Sequence, residues 1–179
     1  LLYYMILEKN SDKKYFLCYN IQEVIQMTRA IIFSDSHNSF SSMTAAMDRA
    51  GDVKYIIHAG DVQSDVDDLK LMYPQHNIIY VKGNNDFWDR ETPEERLFTL
   101  DGVRIFLTHG HNFGVKLSLS RLAHEAEKRG AQLCIFGHTH VKADEMIGSV
   151  RMYNPGSARR SYGIMEIENG RFEIKTYDL

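Results

Sequence analysis

TRAIIFSDSHN, residues Thr28 to Asn38, is an apolar run that ends abruptly in Asp35, a small residue and His37. Its β-branched and aromatic residues predict a buried strand. A turn would also explain the ending, because Ser, Asp and Asn bond their own backbone where a strand stops. This stretch alone therefore leaves two interpretations open, a plain turn and one corner of a polar site.

The composition is that of one globular domain. The chain has 179 residues, of which 44% are hydrophobic and 25% charged, and its net charge is -3. That charge gives no electrostatic argument for a nucleic-acid polymer as partner. The apolar opening LLYYMIL is too short to span a bilayer, so we expect no membrane segment there. Cys18 and Cys134 are far apart, which favours buried thiols in a reducing cytoplasm over a disulfide.

The first half of the domain alternates strands and helices. Helical spacing of Phe40, Met43, Met47 and Ala50 predicts one helix, and Ser64 resembles the N-cap of a second. The predicted strands are Thr28–Ser34, Lys54–Ala59 and Asn77–Lys82. Such a β-α-β-α-β order predicts a largely parallel sheet.

The second half adds antiparallel hairpins. Asp101-Gly102 and Asn169-Gly170 each separate two strand-like runs, as hairpin turns do. A helix is expected from Leu117 to Arg129 and a strand from Gln132 to Phe136.

Metal-competent residues follow five of the predicted strands. They are Asp35 and His37, Asp61 in HAGD, Asn84 to Asp86 in VKGNND, His109 and His111 in FLTHGH, and His138 and His140 in FGHTH. Strand ends in open α/β sheets converge on one crevice, where ligands bind. Turn chemistry does not select two aspartates, an asparagine and five of the eight histidines. The pattern therefore predicts a site for borderline divalent ions, manganese, iron, nickel or zinc, and has enough ligands for a pair of them.

The motifs D-x-H, G-D, G-N-x-D, H-G-H and G-H-T-H, in this order, resemble those of the calcineurin-like metallophosphoesterases. The resemblance runs from Met27 to Leu179, includes YNPGS at Tyr153 to Ser157, and is strongest to small phosphodiesterases of the YfcE type, which are similar to the retromer subunit Vps29. It implies an α/β fold, a four-layer α/β/β/α sandwich of two mixed sheets flanked by helices.

The resemblance also implies a two-metal centre, most simply of manganese, with nickel, iron and zinc as alternatives. One ion would be held by Asp35, His37 and His140. The other would be held by Asn84, His109 and His138, and Asp61 would bridge the two. The catalytic set it implies is Asp61, Asn84, Asn85, Asp86 and His111.

The implied reaction is hydrolysis of a small phosphodiester by in-line attack of a hydroxide that bridges the two ions. Two divalent ions, two aspartates and one hydroxide leave a charge of about +1, which a diester monoanion neutralises. Many relatives carry a histidine where this chain has Asn85, and an amide cannot protonate a leaving group. We therefore expect diesters with acidic leaving groups. The alternative is a Vps29-like interaction scaffold with a vestigial metal site, since a fold alone does not prove catalysis.

Several smaller points stay open from the sequence. His58 lies in an apolar strand and is expected in the core, whereas Arg159 and Arg160 could contact phosphate or form a solvated loop pair. A homo-oligomer is also left open. Residues 1–26 are an extension that a compact member does not need, so Met27 is a candidate natural start and 27–179 the predicted metallophosphoesterase domain.

Overall fold

The structure is a computed structural model, and it describes the backbone of the strands at 3–10 and 13–20 and the continuous stretch 27–179. The strands are β1 (Tyr3–Asn10), β2 (Lys13–Asn20), β3 (Thr28–Phe33), β4 (Tyr55–His58), β5 (Asn77–Tyr80), β6 (Glu95–Leu100), β7 (Val103–Thr108), β8 (Leu133–Ile135), β9 (Ala143–Ile147), β10 (Val150–Asn154), β11 (Ser161–Glu168) and β12 (Arg171–Asp178). The helices are α1 (Phe40–Ala50), α2 (Gln63–Met72), α3 (Ser120–Lys128) and a 3₁₀ turn at His111–Phe113.

Two five-stranded mixed sheets form the centre of the domain. Their strand orders are β12-β11-β3-β4-β5 and β6-β7-β8-β10-β9. β3, β4 and β5 run parallel, as do β7, β8 and β10, whereas β6, β9, β11 and β12 pair antiparallel with their neighbours. β1 and β2 pair antiparallel with each other.

Alternate residues of β3 are buried in two different cores, which explains how the layers of the domain are stacked. Ala30 and Ile32 join the core between the two sheets. Ile31 and Phe33 instead face a second core beneath α1 and α2. A third core, which includes Phe106 and other residues beneath α3, lies on the outer face of the other sheet. Because alternate side chains of a strand point to opposite faces, a strand covered on both sides must be apolar throughout. The predicted α/β/β/α sandwich is confirmed.

The local predictions need two corrections. Ser64 is not the N-cap of α2, because the helix begins at Gln63. The residue at the N-cap position is Val62, which makes no side-chain hydrogen bond to the helix. The Gln63 amide instead donates to Asp86 Oδ1 at 2.7 Å, a carboxylate from a distant loop. The helix predicted from Leu117 begins only at Ser120.

The β9-β10 hairpin was not predicted. β9 is an edge strand and exposes most of its side chains, so it lacks the apolar alternation that marks a strand in sequence.

Other expectations of burial hold. His58 is fully buried, and Cys134 is a buried free thiol. The side chain of Cys18 lies outside the described residues, and the boundary at Met27 stays a prediction. Among the described helices, none combines the length and the apolar character that crossing a bilayer requires.

Candidate metal centre

The polar residues that follow β3, β4, β5, β7 and β8 meet at one edge of the sandwich. Two groups of side chains there have ligand atoms within 4.8 Å of one another. The first is Asp35, His37 and His140, and the second is Asp35, Asp61 and His109. The parallel strands bring these groups together because their carboxyl ends lie at the same edge of each sheet.

The inner group is built around the His109 ring. Its Nδ1 lies 2.8 Å from the carbonyl oxygen of Ala59 and is therefore the nitrogen that carries the proton in the neutral ring. The other nitrogen, Nε2, lies 3.2 Å from Asn84 Oδ1 and 3.4 Å from Asp61 Oδ2. In that tautomer the lone pair of Nε2 points at the Asn84 and Asp61 oxygen atoms, which also carry lone pairs. Three such atoms lie together favourably when a cation is bound among them, so these residues fit a divalent metal ion.

Charge at the inner group leads to the same conclusion. Burial would lower the pKa of His109, but Asp61 and Asp35 outweigh it and raise the pKa. Burial would raise the pKa of Asp61, but the neighbouring His109 imidazole and hydrogen bonds from Asn85 lower it below the usual range. For Asp35 burial prevails and raises the pKa. Two buried carboxylates beside one imidazole thus favour positive charge at this point.

The outer group lies where the site opens to solvent. His37 Nε2 and His140 Nε2 are 3.2 Å apart, and His140 Nε2 is 3.3 Å from Asp35 Oδ1. Asp35 is fully buried, whereas His140 is about half exposed. Two imidazole nitrogens that converge beside one carboxylate match the borderline divalent ions. Asp35 therefore belongs to both groups. The bridging role that the resemblance implies for Asp61 stays a prediction.

His138 stands apart from both groups. Its ring centroid lies 5.1 Å from that of His109, and burial lowers its pKa to about 4. The imidazole is therefore neutral near pH 7, the form that binds a metal ion.

The backbone bends sharply at the candidate ligands. Five of them have positive φ: Asp35 (53°), His37 (45°), Asp61 (52°), His138 (67°) and His140 (58°). Residues other than glycine rarely adopt this conformation, which costs of order 1 to 3 kcal/mol and clusters at functional sites. The surrounding packing must supply that energy.

Two glycines make room for the carboxylates. A Cβ on Gly83 would overlap the Asp61 carboxylate, and one on Gly137 would overlap Ser34 Oγ and lie 2.8 Å from Asp35 Oδ2. The glycines of the G-N-x-D and G-H-T-H motifs are therefore required because the aspartate and serine side chains pack directly against their backbone.

Residues that the sequence did not single out hold Asp35 in place. Ser34 Oγ donates to Asp35 Oδ2 at 2.7 Å, and Ser157 Oγ donates to the Asp35 carbonyl at 2.8 Å. The backbone amide of His138 donates to the same carboxylate at 3.0 Å. The only sequence signals for these contacts are the serine before D-x-H and the last residue of YNPGS.

Asp86 and Asn85 support Asp61 from the neighbouring loop. The Asp86 carboxylate accepts from the backbone amides of Gly83 (2.7 Å), Gln63 (2.7 Å) and Asp61 (3.1 Å). With these bonds made, Asp86 orders the loop and the start of α2. Asn85 donates to Asp61 twice, from its backbone amide at 2.9 Å and from Nδ2 at 2.6 Å.

Two further candidates lie at the rim. The His111 ring is 5.5 Å from that of His109, and its buried Nδ1 has no hydrogen-bond partner among the described residues. Arg159 donates to the His37 carbonyl at 2.6 Å and to Ser39 Oγ at 2.9 Å. These bonds commit part of the Arg159 guanidinium to positioning the D-x-H loop. Arg160 is exposed.

Comparisons with known proteins agree with this architecture. Over 157 residues the chain is 34% identical to the probable metallophosphoesterase YsnB of Bacillus subtilis. The matched region covers 83% of this chain and 89% of that protein. The chain is 30% identical over 141 residues to a phosphodiesterase of Methanocaldococcus jannaschii, covering 70% of this chain and 81% of that one.

Solved structures share the fold. A conserved protein of Streptococcus pneumoniae, described as a predicted phosphoesterase, superposes with a TM-score of 0.70 at 28% identity, over 87% of this chain and 91% of that one. Vps29 of Cryptosporidium parvum has a TM-score of 0.67 at 16% identity, over 86% and 98% of the two chains, a likeness of fold alone. Residues 28–175 match the calcineurin-like phosphoesterase superfamily domain. The chain therefore belongs to the calcineurin-like phosphoesterase superfamily.

Proposed function

We propose that this chain is a two-metal phosphodiesterase that hydrolyses small phosphodiesters. The observation that carries the proposal is the pair of adjoining ligand groups that share the buried Asp35. A structural role does not require two such groups to be this close, because buried carboxylates and imidazoles are costly without a compensating charge.

Asp35, His37 and His140 would hold one ion and Asn84, His109 and His138 the other, with Asp61 proposed as the ligand common to both. Asp35, which belongs to both groups of side chains, would also lie beside the second ion. Divalent ions, when bound, supply positive charge that lowers the pKa of water and stabilises negative charge on phosphoryl oxygens. Manganese is the proposed metal, with nickel, iron and zinc as alternatives, because neutral imidazole and carboxylate ligands without thiolate suit all four.

The residues around the ligands favour a diester with a good leaving group. Asn85 secures the Asp61 carboxylate through two hydrogen bonds, and its amide has no proton to give to a departing oxygen. His111, whose ring lies 5.5 Å from that of His109, is proposed as a contact to the metal ligands or to the substrate. The leaving group should therefore depart as a weak base.

The test compares hydrolysis of bis(p-nitrophenyl) phosphate and p-nitrophenyl phosphate by protein loaded with Mn²⁺. We expect turnover of the diester to exceed that of the monoester, to stop after chelation and to return with Mn²⁺. His109→Asn should reduce kcat/KM for the diester at least about 100-fold, since second-shell changes alone cost 10- to 100-fold. His124→Asn, at an exposed position of α3, is the matched control.

The scaffold alternative predicts a different result. A protein that binds no stoichiometric metal and hydrolyses neither ester, while remaining folded, would favour a scaffold over an enzyme.

A further inference from the structure

An exposed aromatic pair lies in the loop after the G-N-x-D motif. Phe87 is 69% exposed and Trp88 is 84% exposed, and their ring centroids are 5.0 Å apart with planes tilted by 48°. Neither ring takes part in the cores or in the metal centre. Large aromatic side chains gain most from burial, so a pair left in water is a candidate contact surface.

The backbone that carries the pair is fixed. The Asp89 amide donates to the Asp86 carbonyl at 3.0 Å, which closes a turn with Phe87 and Trp88 at its two central positions. The Asp89 carboxylate accepts from the amides of Glu91 and Thr92, both at 2.9 Å. Two rings presented on an ordered turn lose little conformational freedom when a ligand binds.

The turn is close to the proposed reaction centre. Asn85, two residues before Phe87, donates twice to the Asp61 carboxylate. Successive Cα atoms are about 3.8 Å apart, so the Cα of Trp88 lies no more than about 11 Å from that of Asn85. A substituent on a phosphate held at the metal centre can span such a distance.

We propose that Phe87 and Trp88 form a substrate subsite that stacks against a planar aromatic group of the phosphodiester, either a nucleobase or an arene. This inference rests on the proposed phosphodiesterase function. The neighbouring carboxylates of Asp86 and Asp89 accept hydrogen bonds from backbone amides, so the two rings, rather than these carboxylates, are what the turn presents to a ligand. A subsite that binds a base only by stacking, without hydrogen bonds to its edges, accepts any base, because each base has a π-face.

A protein partner is less well matched to this surface. The aromatic pair is only two residues long and is flanked by Asp86 on one side and by Asp89, Arg90 and Glu91 on the other. Stable protein interfaces instead have an apolar centre of many residues.

A binding experiment tests the subsite without turnover. The full chain loaded with Mn²⁺ is titrated with AMP, with phenyl phosphate and with ribose 5-phosphate, which carries the phosphate but no aromatic ring. Trp88 is the only tryptophan of the chain, so its fluorescence reports contact at this position. We expect AMP to quench the fluorescence and to bind about 5- to 150-fold more tightly than ribose 5-phosphate, the range that stacking on one aromatic residue provides.

Variants then show whether the preference for AMP depends on Trp88. Their affinities are measured by calorimetry, because Trp88→Ala has no tryptophan fluorescence. Trp88→Ala should remove most of the preference for AMP over ribose 5-phosphate, and Trp88→Phe should retain most of it. Leu71→Ala, a truncation at a residue of α2 that is 82% exposed, should leave it unchanged. Phenyl phosphate distinguishes the sources: tight binding indicates any arene, and weak binding indicates a nucleobase.

The inference and the function fail in different ways. Equal affinities for AMP and ribose 5-phosphate, or an equal loss of both in Trp88→Ala, would overturn the subsite even if the protein hydrolyses diesters. Absence of metal-dependent hydrolysis of bis(p-nitrophenyl) phosphate would overturn the function, whatever the titrations show.

Discussion

Replacing Asp61 by Asn tests the metal centre most directly. The two side chains have the same shape, so the substitution removes one buried negative charge without creating a cavity. The remaining oxygen can still accept from the Asn85 amide, which bonds Asp61 at 2.9 Å. The new amide nitrogen instead meets Asn85 Nδ2, which donates to Asp61 at 2.6 Å, and two donors then face each other. The metal-free protein should therefore lose some stability as well, so the informative quantity is the change in Tm that Mn²⁺ produces, which should fall because at least one ion is lost.

The magnitude follows from linkage. A ligand present at 100 times its dissociation constant stabilises the folded state by about 2.7 kcal/mol. Two ions would therefore add about 5.4 kcal/mol and one ion about 2.7 kcal/mol. For a chain of this size 1 kcal/mol shifts Tm by about 2 to 4 °C, so Asp61→Asn should lose about 5 to 11 °C of the increase that Mn²⁺ produces in the native protein for each ion that it fails to bind.

The assay is thermal unfolding with and without Mn²⁺, together with metal counting on the purified protein. Asp68→Asn removes an exposed carboxylate from α2 and serves as the charge control. We expect the control to retain two ions and the full shift, and Asp61→Asn to retain one ion or none. Diester hydrolysis should also fall far more in Asp61→Asn than in His111→Asn. An Asp61→Asn protein with two ions, an unchanged shift in Tm and full turnover would refute the assignment.

Three further predictions concern the surroundings of the ligands. Asn85→His should flatten the dependence of kcat/KM on leaving-group pKa, since a general acid contributes about 10²- to 10⁴-fold to poor leaving groups; parallel slopes in an intact, metal-loaded variant would show that position 85 does not face the leaving group. Ser34→Ala removes the 2.7 Å bond to the buried Asp35 carboxylate and should lower the free energy of unfolding of the metal-free protein by about 1 to 3 kcal/mol in urea titrations. Gly137→Ala should cost about 1 to 3 kcal/mol through overpacking and also lower the bound metal, because its Cβ would press on Ser34 and Asp35. Gly130→Ala, where no atom lies within 4 Å of the added Cβ, should leave the metal count unchanged.

The sequence by itself determined the strands and the residues at their ends. The apolar run of β3 marks a strand covered on both faces, and glycines mark the close turns that follow, because hydrophobic period and turn chemistry act over a few neighbouring residues. The polar residues after five strands predicted a site at one edge of the sheet, and the resemblance of the motifs to the calcineurin-like family implied the four-layer sandwich. Edge strand β9 escaped detection because its exposed side chains carry no such period.

Only the tertiary structure decided how the gathered residues divide their roles. Asp35 belongs to both ligand groups, and Asp86 satisfies the first amide of α2 in place of the predicted cap at Ser64. Arg159 reaches the His37 carbonyl across 122 positions of the chain. Such contacts depend on how two sheets and their loops pack, and a hydrogen bond between distant residues leaves no local pattern in the sequence.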